Sequence, residues 1–153
     1  NIGLVIEGAP VMGIVLAPAH DRLFCGLVGD GASEIAAGIA RDIAVRPVPG
    51  SGPVAVASRS HRDEETDHWL AAHGIAETIS TGSSMKFCLV AAGEADVYPR
   101  FGPTMEWDTA AGDAVLRAAG GRMITPDGAP YLYGKPDYRS TAFIACGGFM
   151  PSN

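Results

Sequence analysis

Residues 101–112 read FGPTMEWDTAAG, a Gly-Pro loop that delivers Asp108 into the first turn of a helix. The free backbone N–H groups and the positive end of the helix dipole favour anions at this place. A carboxylate there can hold a hard divalent cation while the neighbouring amides help to receive a phosphate. The same pattern also fits an aspartate that only caps the helix. Asp108 is therefore a candidate metal ligand and catalytic residue, with helix capping as the alternative.

An α/β alternation surrounds this stretch. The helix that follows is predicted over residues 106–119, where Ala111, Val115 and Ala118 form one apolar stripe and two glycines end it. Ser60 and Asp63 have capping-box spacing at the start of another helix. The predicted strands cover residues 54–57, 75–79, 95–99, 122–125 and 142–146, and the other helices cover residues 61–73 and 84–92.

The first third of the chain is of a different kind. Three short apolar runs joined by turn residues predict an antiparallel meander with strands at 2–6, 11–17 and 23–28, and a further hairpin near Gly31. Residues 47–53 stack Pro and Gly, where neither helix nor sheet can continue. The sequence thus predicts the α/β (α+β) class, with a sheet region at 1–46, a linker at 47–53 and an α/β domain at 54–153.

The segment GSSMKF at residues 82–87 is a second candidate for ligand binding. Two hydroxyls, on Ser83 and Ser84, and the ammonium of Lys86 stand at a loop-to-helix junction and could together cradle a phosphoryl group. The alternative is a capping serine and a solvated lysine. Ser83-x-x-Lys86 also matches the nucleophile pattern of penicillin-binding proteins, but the S-D-N and K-T-G partners of that pattern are absent from this sequence.

Two further residues could contact a phosphate. His61 stands at the predicted start of a helix, in the segment SRSHRDEE at 58–65, and a solvated helix face is its alternative. Arg100 ends a strand just before the Asp108 loop, where a guanidinium could bind phosphate through two hydrogen bonds. An exposed structural arginine is the alternative at that position.

Composition excludes several functions. A net charge of −6 with only eleven Lys and Arg argues against a nucleic-acid polymer as partner. The three cysteines are far apart in sequence, which predicts neither a zinc site nor a disulfide framework and fits a reducing cytoplasm. No apolar run reaches the length of a membrane helix.

Three segments together resemble the 3'(2'),5'-bisphosphate nucleotidases of the inositol monophosphatase superfamily. They are GSSMKFCLVAAG at 82–93, YPRFGPT at 98–104 and WDTAAG at 107–112, and the segments at 1–19 and 54–61 agree in kind and order. The resemblance implies a layered α-β-α-β-α sandwich, here without its N-terminal part. It further implies that Asp108 is a metal ligand and that His61, Ser83 or Ser84, Lys86 and Arg100 contact the substrate.

The family's chemistry is hydrolysis of the 3'-phosphate of adenosine 3',5'-bisphosphate with two or three Mg²⁺ ions, in sulfate assimilation and with sensitivity to lithium. The resemblance implies a small nucleotide substrate and a cytoplasmic location, with peripheral association with the inner membrane left open. An inositol or sugar phosphatase and a non-catalytic nucleotide-binding module are the alternatives for the activity.

The family's paired-glutamate segment and its Asp-Pro-x-Asp-Gly-Thr loop do not occur in this sequence. We expect that they would precede residue 1, and that the 153 residues alone are inactive because one carboxylate cannot hold two Mg²⁺ ions. A sheet without its first elements exposes an apolar face, which predicts a homodimer or another association through that sheet.

Overall fold

A computed structural model describes residues 1–58 and 63–151. Its first part is a meander of five antiparallel strands. Glu7 and Gly8 join the first two strands with positive φ angles of 50° and 78°, the two-residue turn whose twist matches that of a hairpin. The predicted meander and the hairpin near Gly31 are confirmed. The strands are β1 (Ile2–Ile6), β2 (Ala9–Ala17), β3 (Arg22–Leu27), β4 (Gly31–Ala36) and β5 (Ile39–Ile43).

The second part is a mixed sheet with three helices. The strand order is β10-β12-β8-β6-β7, in which β6 runs parallel to β7 and β8 while β12 runs antiparallel to β8 and β10. A separate short pair joins β9 to β11. The elements are β6 (Val54–Ala57), α1 (Glu64–Ala72), β7 (Glu77–Ser80), α2 (Met85–Ala91), β8 (Val97–Arg100), β9 (Thr104–Met105), α3 (Glu106–Ala118), β10 (Arg122–Ile124), β11 (Arg139–Ser140) and β12 (Phe143–Cys146).

Some predicted boundaries were wrong by a few residues. Helix α1 begins at Glu64, because the side chain of Asp63 caps it by accepting from Thr66 N at 2.7 Å. The predicted caps and contacts at Ser60 and His61 lie outside the described residues. Strand β7 begins at Glu77 rather than at residue 75, because Ile75 N donates to Leu70 O and closes the end of α1.

The elements form four layers: the meander, the pair α2 and α3, the mixed sheet, and α1. All seven residues of α2 are buried, since a sheet lies on each side of the helix pair. The main core joins Val15 and Phe24 of the meander to Phe87, Val115 and Phe143. This packing fixes the N-terminal end of α3 between the two sheets.

The connection between the two sheets is held in place. Arg46 donates to both carboxylate oxygens of Asp96, at 3.0 and 2.8 Å, and Asp96 Oδ2 also accepts from Val54 N at 2.8 Å. Residues 44–53, all of them described, form neither helix nor strand. The predicted linker at 47–53 lies within this connection, and the division into two domains stays a prediction.

Glycines allow α3 to lie directly on the meander. A Cβ added to Gly13 would overlap the carbonyl oxygen of Ala111 and would come within 2.9 Å of Ala114 Cβ. Gly13→Ala is therefore expected to lower the free energy of unfolding by about 3 kcal/mol, because neither backbone can move far in a packed layer. Urea denaturation measures this loss. Gly50→Ala is the control, since nothing lies within 4 Å of its Cβ, and an equal loss in both variants would contradict the packing argument.

The meander exposes one apolar face. Ile2, Leu4 and Leu16 are 62%, 46% and 57% exposed, and Leu27 and Ile35 continue the same face because paired residues of neighbouring strands share a side. Association through this face, including a homodimer, stays a prediction. Within the described ranges, none of the helices has the length and apolarity needed to cross a membrane.

Candidate active site

A cavity of about 480 Å³ opens where three segments meet: the loop before α2, the end of β8 and the first turn of α3. It brings together five of the six residues predicted from the sequence. The sixth, His61, lies outside the described residues. The lining residues are Ser58, Gly82, Ser83, Ser84, Lys86, Phe87, Tyr98, Arg100, Thr104, Asp108 and Thr109.

Asp108 both caps α3 and lines the cavity. Its Oδ2 accepts hydrogen bonds from Thr104 Oγ1 at 3.0 Å and from Met105 N at 3.3 Å. These bonds fix the carboxyl group at the helix end, so helix capping does occur. Among the described residues only Oδ2 takes part in hydrogen bonds, which leaves Oδ1 for a ligand. The two interpretations of Asp108 are therefore compatible.

Ser84 ties the loop before α2 to the start of α3. Its hydroxyl donates to the backbone oxygen of Asp108 at 3.2 Å and accepts from Asn1 Nδ2 at 2.6 Å. It occupies the N-cap position of α2 but makes no side-chain capping bond there, so the capping alternative is wrong for this hydroxyl. Ser83 precedes it with a positive φ of 54° and is exposed at the cavity.

Lys86 is a buried cation. Its side chain is 2% exposed, so the alternative of a solvated lysine is wrong. The ammonium donates to Ser83 O at 2.9 Å and lies 5.0 Å from the centre of the Tyr98 ring. Burial, with a smaller contribution from the positive charge of Arg100, lowers the pKa of Lys86 to about 8. At neutral pH the side chain is still charged, and an anion would relieve the cost of that buried charge.

Arg100 supplies a second positive charge to the cavity. Its Nη2 donates to Pro103 O at 2.8 Å, and two longer contacts of 3.4 Å join Nε to Gly102 O and Nη1 to Tyr98 Oη. All three acceptors are neutral. Within residues 1–58 and 63–151, no carboxylate pairs with Arg100 or with Lys86. The described lining of the cavity therefore has two cations without a carboxylate partner beside one carboxylate, which suits a phosphate bridged to a metal ion.

Tyr98 was missed from the sequence. It is 4% exposed in β8, it lines the cavity, and burial raises the pKa of its hydroxyl. The sequence does contain a signal for Tyr98. Residues two apart on a strand face the same side, and Tyr98 stands two residues before Arg100.

Asp108 is the one carboxylate that the described residues place in the lining of this cavity. Asp108 has the hard oxygen ligand that Mg²⁺ prefers, and its place beside two cations suits a shared metal and phosphate. The described residues contain no group of three or more His, Cys, Asp or Glu side chains that could hold a metal ion. Within the described residues, Asp108 therefore fits one position of a metal site and not a complete one.

Comparison with known proteins identifies one matching family and several similar proteins. The model of the inositol monophosphatase family matches residues 1–147. The 3'(2'),5'-bisphosphate nucleotidase CysQ of Escherichia coli (strain K12) is 44% identical over 133 residues, which are 87% of this chain and 53% of that protein. An uncharacterized protein in the pss 5' region of Rhizobium leguminosarum bv. phaseoli is 58% identical over 86 residues, 52% of this chain and 90% of that protein.

Solved structures agree with these matches. The crystal structure of CysQ from Bacteroides thetaiotaomicron superposes with a TM-score of 0.87 at 39% identity, over 98% of this chain and 62% of that one. An inositol monophosphatase from Anabaena gives a TM-score of 0.74 at 27% identity, over 95% of this chain and 58% of that one. The expected fold is thereby confirmed. The chain spans about half the length of the CysQ proteins that it matches.

Proposed function

Because this chain belongs to the inositol monophosphatase family, we propose that it forms part of a Mg²⁺-dependent phosphomonoesterase acting on adenosine 3',5'-bisphosphate. The products would be AMP and inorganic phosphate. One observation carries the proposal: Lys86 and Arg100, both without a carboxylate partner among the described residues, share a cavity with Asp108. The nucleotidase relatives favour this substrate over an inositol phosphate.

The two cations are proposed to bind phosphate oxygens. A guanidinium and an ammonium on neighbouring elements can contact different oxygens of one phosphate, or two phosphates of a bisphosphate nucleotide. The buried position of Lys86 strengthens its attraction to an anion, because screening by water is reduced there. Ser83 and Ser84 add hydroxyl groups on the same side, and His61 is proposed as a further contact with the substrate.

Asp108 is proposed to hold Mg²⁺ through its Oδ1 oxygen. The ions, two or three in the complete enzyme, would activate water and stabilise the leaving oxygen. Mg²⁺ keeps its water unless several oxygens replace it, so we propose that the other ligands come from sequence outside these 153 residues. Inhibition by lithium is expected, since a small cation could displace one Mg²⁺. The role in the cell would be removal of a by-product of sulfate assimilation in the cytoplasm.

The test compares two substrates. We expect the full-length gene product, with Mg²⁺, to release phosphate from adenosine 3',5'-bisphosphate with a kcat/KM at least about tenfold above that for inositol 1-phosphate. The 153-residue chain assayed beside it should show no turnover. The preference for a bisphosphate nucleotide would be wrong if inositol phosphate were the better substrate. Nucleotide binding without hydrolysis would instead support a non-catalytic module.

A further inference from the structure

We infer that Tyr98 is the positioning residue that sets the spacing of the Lys86 and Arg100 cations for binding a phosphate. This inference rests on the proposed function and names a residue that acts on the ligand through two others. The ring face lies 5.0 Å from Lys86 Nζ, and the phenol oxygen accepts from Arg100 Nη1 at 3.4 Å. One side chain thus contacts both cations through different parts of its surface.

The two contacts rest on different properties of the phenol. The negative face of an aromatic ring attracts an ammonium without needing a carboxylate. The hydroxyl oxygen offers a lone pair to the guanidinium. A carboxylate at this place would neutralise the cations and compete with an incoming phosphate. A neutral tyrosine orders them and leaves their charge available to an anion.

The ring itself is held firmly. Tyr98 makes edge-to-face contacts with Phe87 at 5.1 Å and with Phe143 at 5.3 Å between ring centres, and Phe87 and Phe143 stack at 5.6 Å. Phe87 in turn lies against Gly112 of α3, where an added Cβ would come within 2.6 Å of its ring. The position of Tyr98 is therefore fixed by the core, and both cations contact this fixed side chain in addition to the backbone oxygens of Ser83 and Pro103.

Among the described residues that line the cavity, the third charged group is Asp108, on the first turn of α3. Its Oδ2 is engaged with Thr104 and Met105, and no hydrogen bond joins it to Lys86 or Arg100 within the described part of the chain. The two cations thus both contact Tyr98 of β8, whereas the carboxylate is held by Thr104 and Met105 of β9, just before its own helix. This separation predicts that a change at Tyr98 affects ligand affinity more than the chemical step.

The test uses three variants of the full-length gene product. Tyr98→Phe keeps the ring and removes the oxygen, so the KM for adenosine 3',5'-bisphosphate should rise about 3- to 10-fold with kcat within about twofold. Tyr98→Leu also removes the ring and should raise the KM further. Tyr131→Phe is the matched control, because it removes the same atom from a ring of the same aromatic cluster, and this oxygen has no hydrogen-bond partner in the described part of the chain. It should leave the KM within about twofold without lowering the melting temperature.

A second measurement separates this inference from the proposed function. Equilibrium dialysis with inorganic phosphate needs no hydrolysis, and Tyr98→Phe should weaken phosphate binding by the same 3- to 10-fold. If the wild-type protein bound phosphate but hydrolysed no nucleotide, the proposed function would fail and the role of Tyr98 would stand. Unchanged KM and unchanged phosphate affinity in Tyr98→Phe, or no phosphate binding by the wild-type protein, would overturn the inference.

Discussion

Asp108→Asn is expected to reduce phosphate release by the full-length gene product about 1,000-fold or more. The amide keeps an acceptor oxygen for Thr104 Oγ1 and Met105 N, so the helix cap survives. What it loses is the negative charge that a Mg²⁺ ion requires from a ligand. Steady-state phosphate release at saturating Mg²⁺ and adenosine 3',5'-bisphosphate measures the effect.

The control for this variant is Asp30→Asn, the same change at an exposed carboxylate in the turn between β3 and β4. It should leave activity within about twofold, as expected for a surface substitution away from the site. Both variants should melt within a few degrees of the wild type. Wild-type activity in Asp108→Asn would show that this carboxylate does not hold the metal, and the proposed chemistry would have to be abandoned.

The sequence predicted most of the candidate site because its residues stand at the ends of recognisable elements. Asp108 follows a Gly-Pro loop, and Arg100 ends a strand, so both could be placed from turn and helix signals alone. The burial of Lys86 could not be predicted. A lysine near the start of a short helix usually faces solvent, and only the presence of a sheet on each side of α2 buries it.

In the fold, too, local sequence patterns predicted some elements, whereas contacts between residues far apart in sequence were not predicted. Apolar runs predicted the extents of strands β1 to β3, whereas for β4 the sequence predicted only a hairpin near Gly31, because Glu34 interrupts the alternation. Glu34 is 1% exposed because Arg22 and Arg41 pair with it, and these partners are 12 and 7 residues away in sequence. Their positive charges hold the pKa of Glu34 below its usual range despite the cost of burial. Such pairings depend on strand register, which local patterns do not specify.

Lys86→Met should change activity and stability in opposite directions. The KM for adenosine 3',5'-bisphosphate is expected to rise about 10- to 100-fold, because a charged hydrogen bond to phosphate is lost. The free energy of unfolding is expected to rise by about 1–2 kcal/mol, since an unpaired buried ammonium is replaced by an apolar side chain of similar length. Lys135→Met is the control, because Lys135 pairs with the buried carboxylate of Glu106 at 3.2 Å and its loss should lower stability.

The stability advantage of Lys86→Met is expected to depend on pH. The pKa of Lys86 is about 8 in the folded protein and 10.5 for the unperturbed side chain, so between these values the unfolded chain binds more protons. Stability of the wild type therefore rises with pH over this interval, and the advantage of Lys86→Met should be greatest below pH 8 and vanish near pH 10.5. Urea denaturation over this pH range measures the stability of the wild type and of Lys86→Met. The buffer is free of phosphate, because phosphate would pair with the ammonium. An advantage that did not change with pH would mean that the charge of Lys86 is compensated by a group outside the described residues.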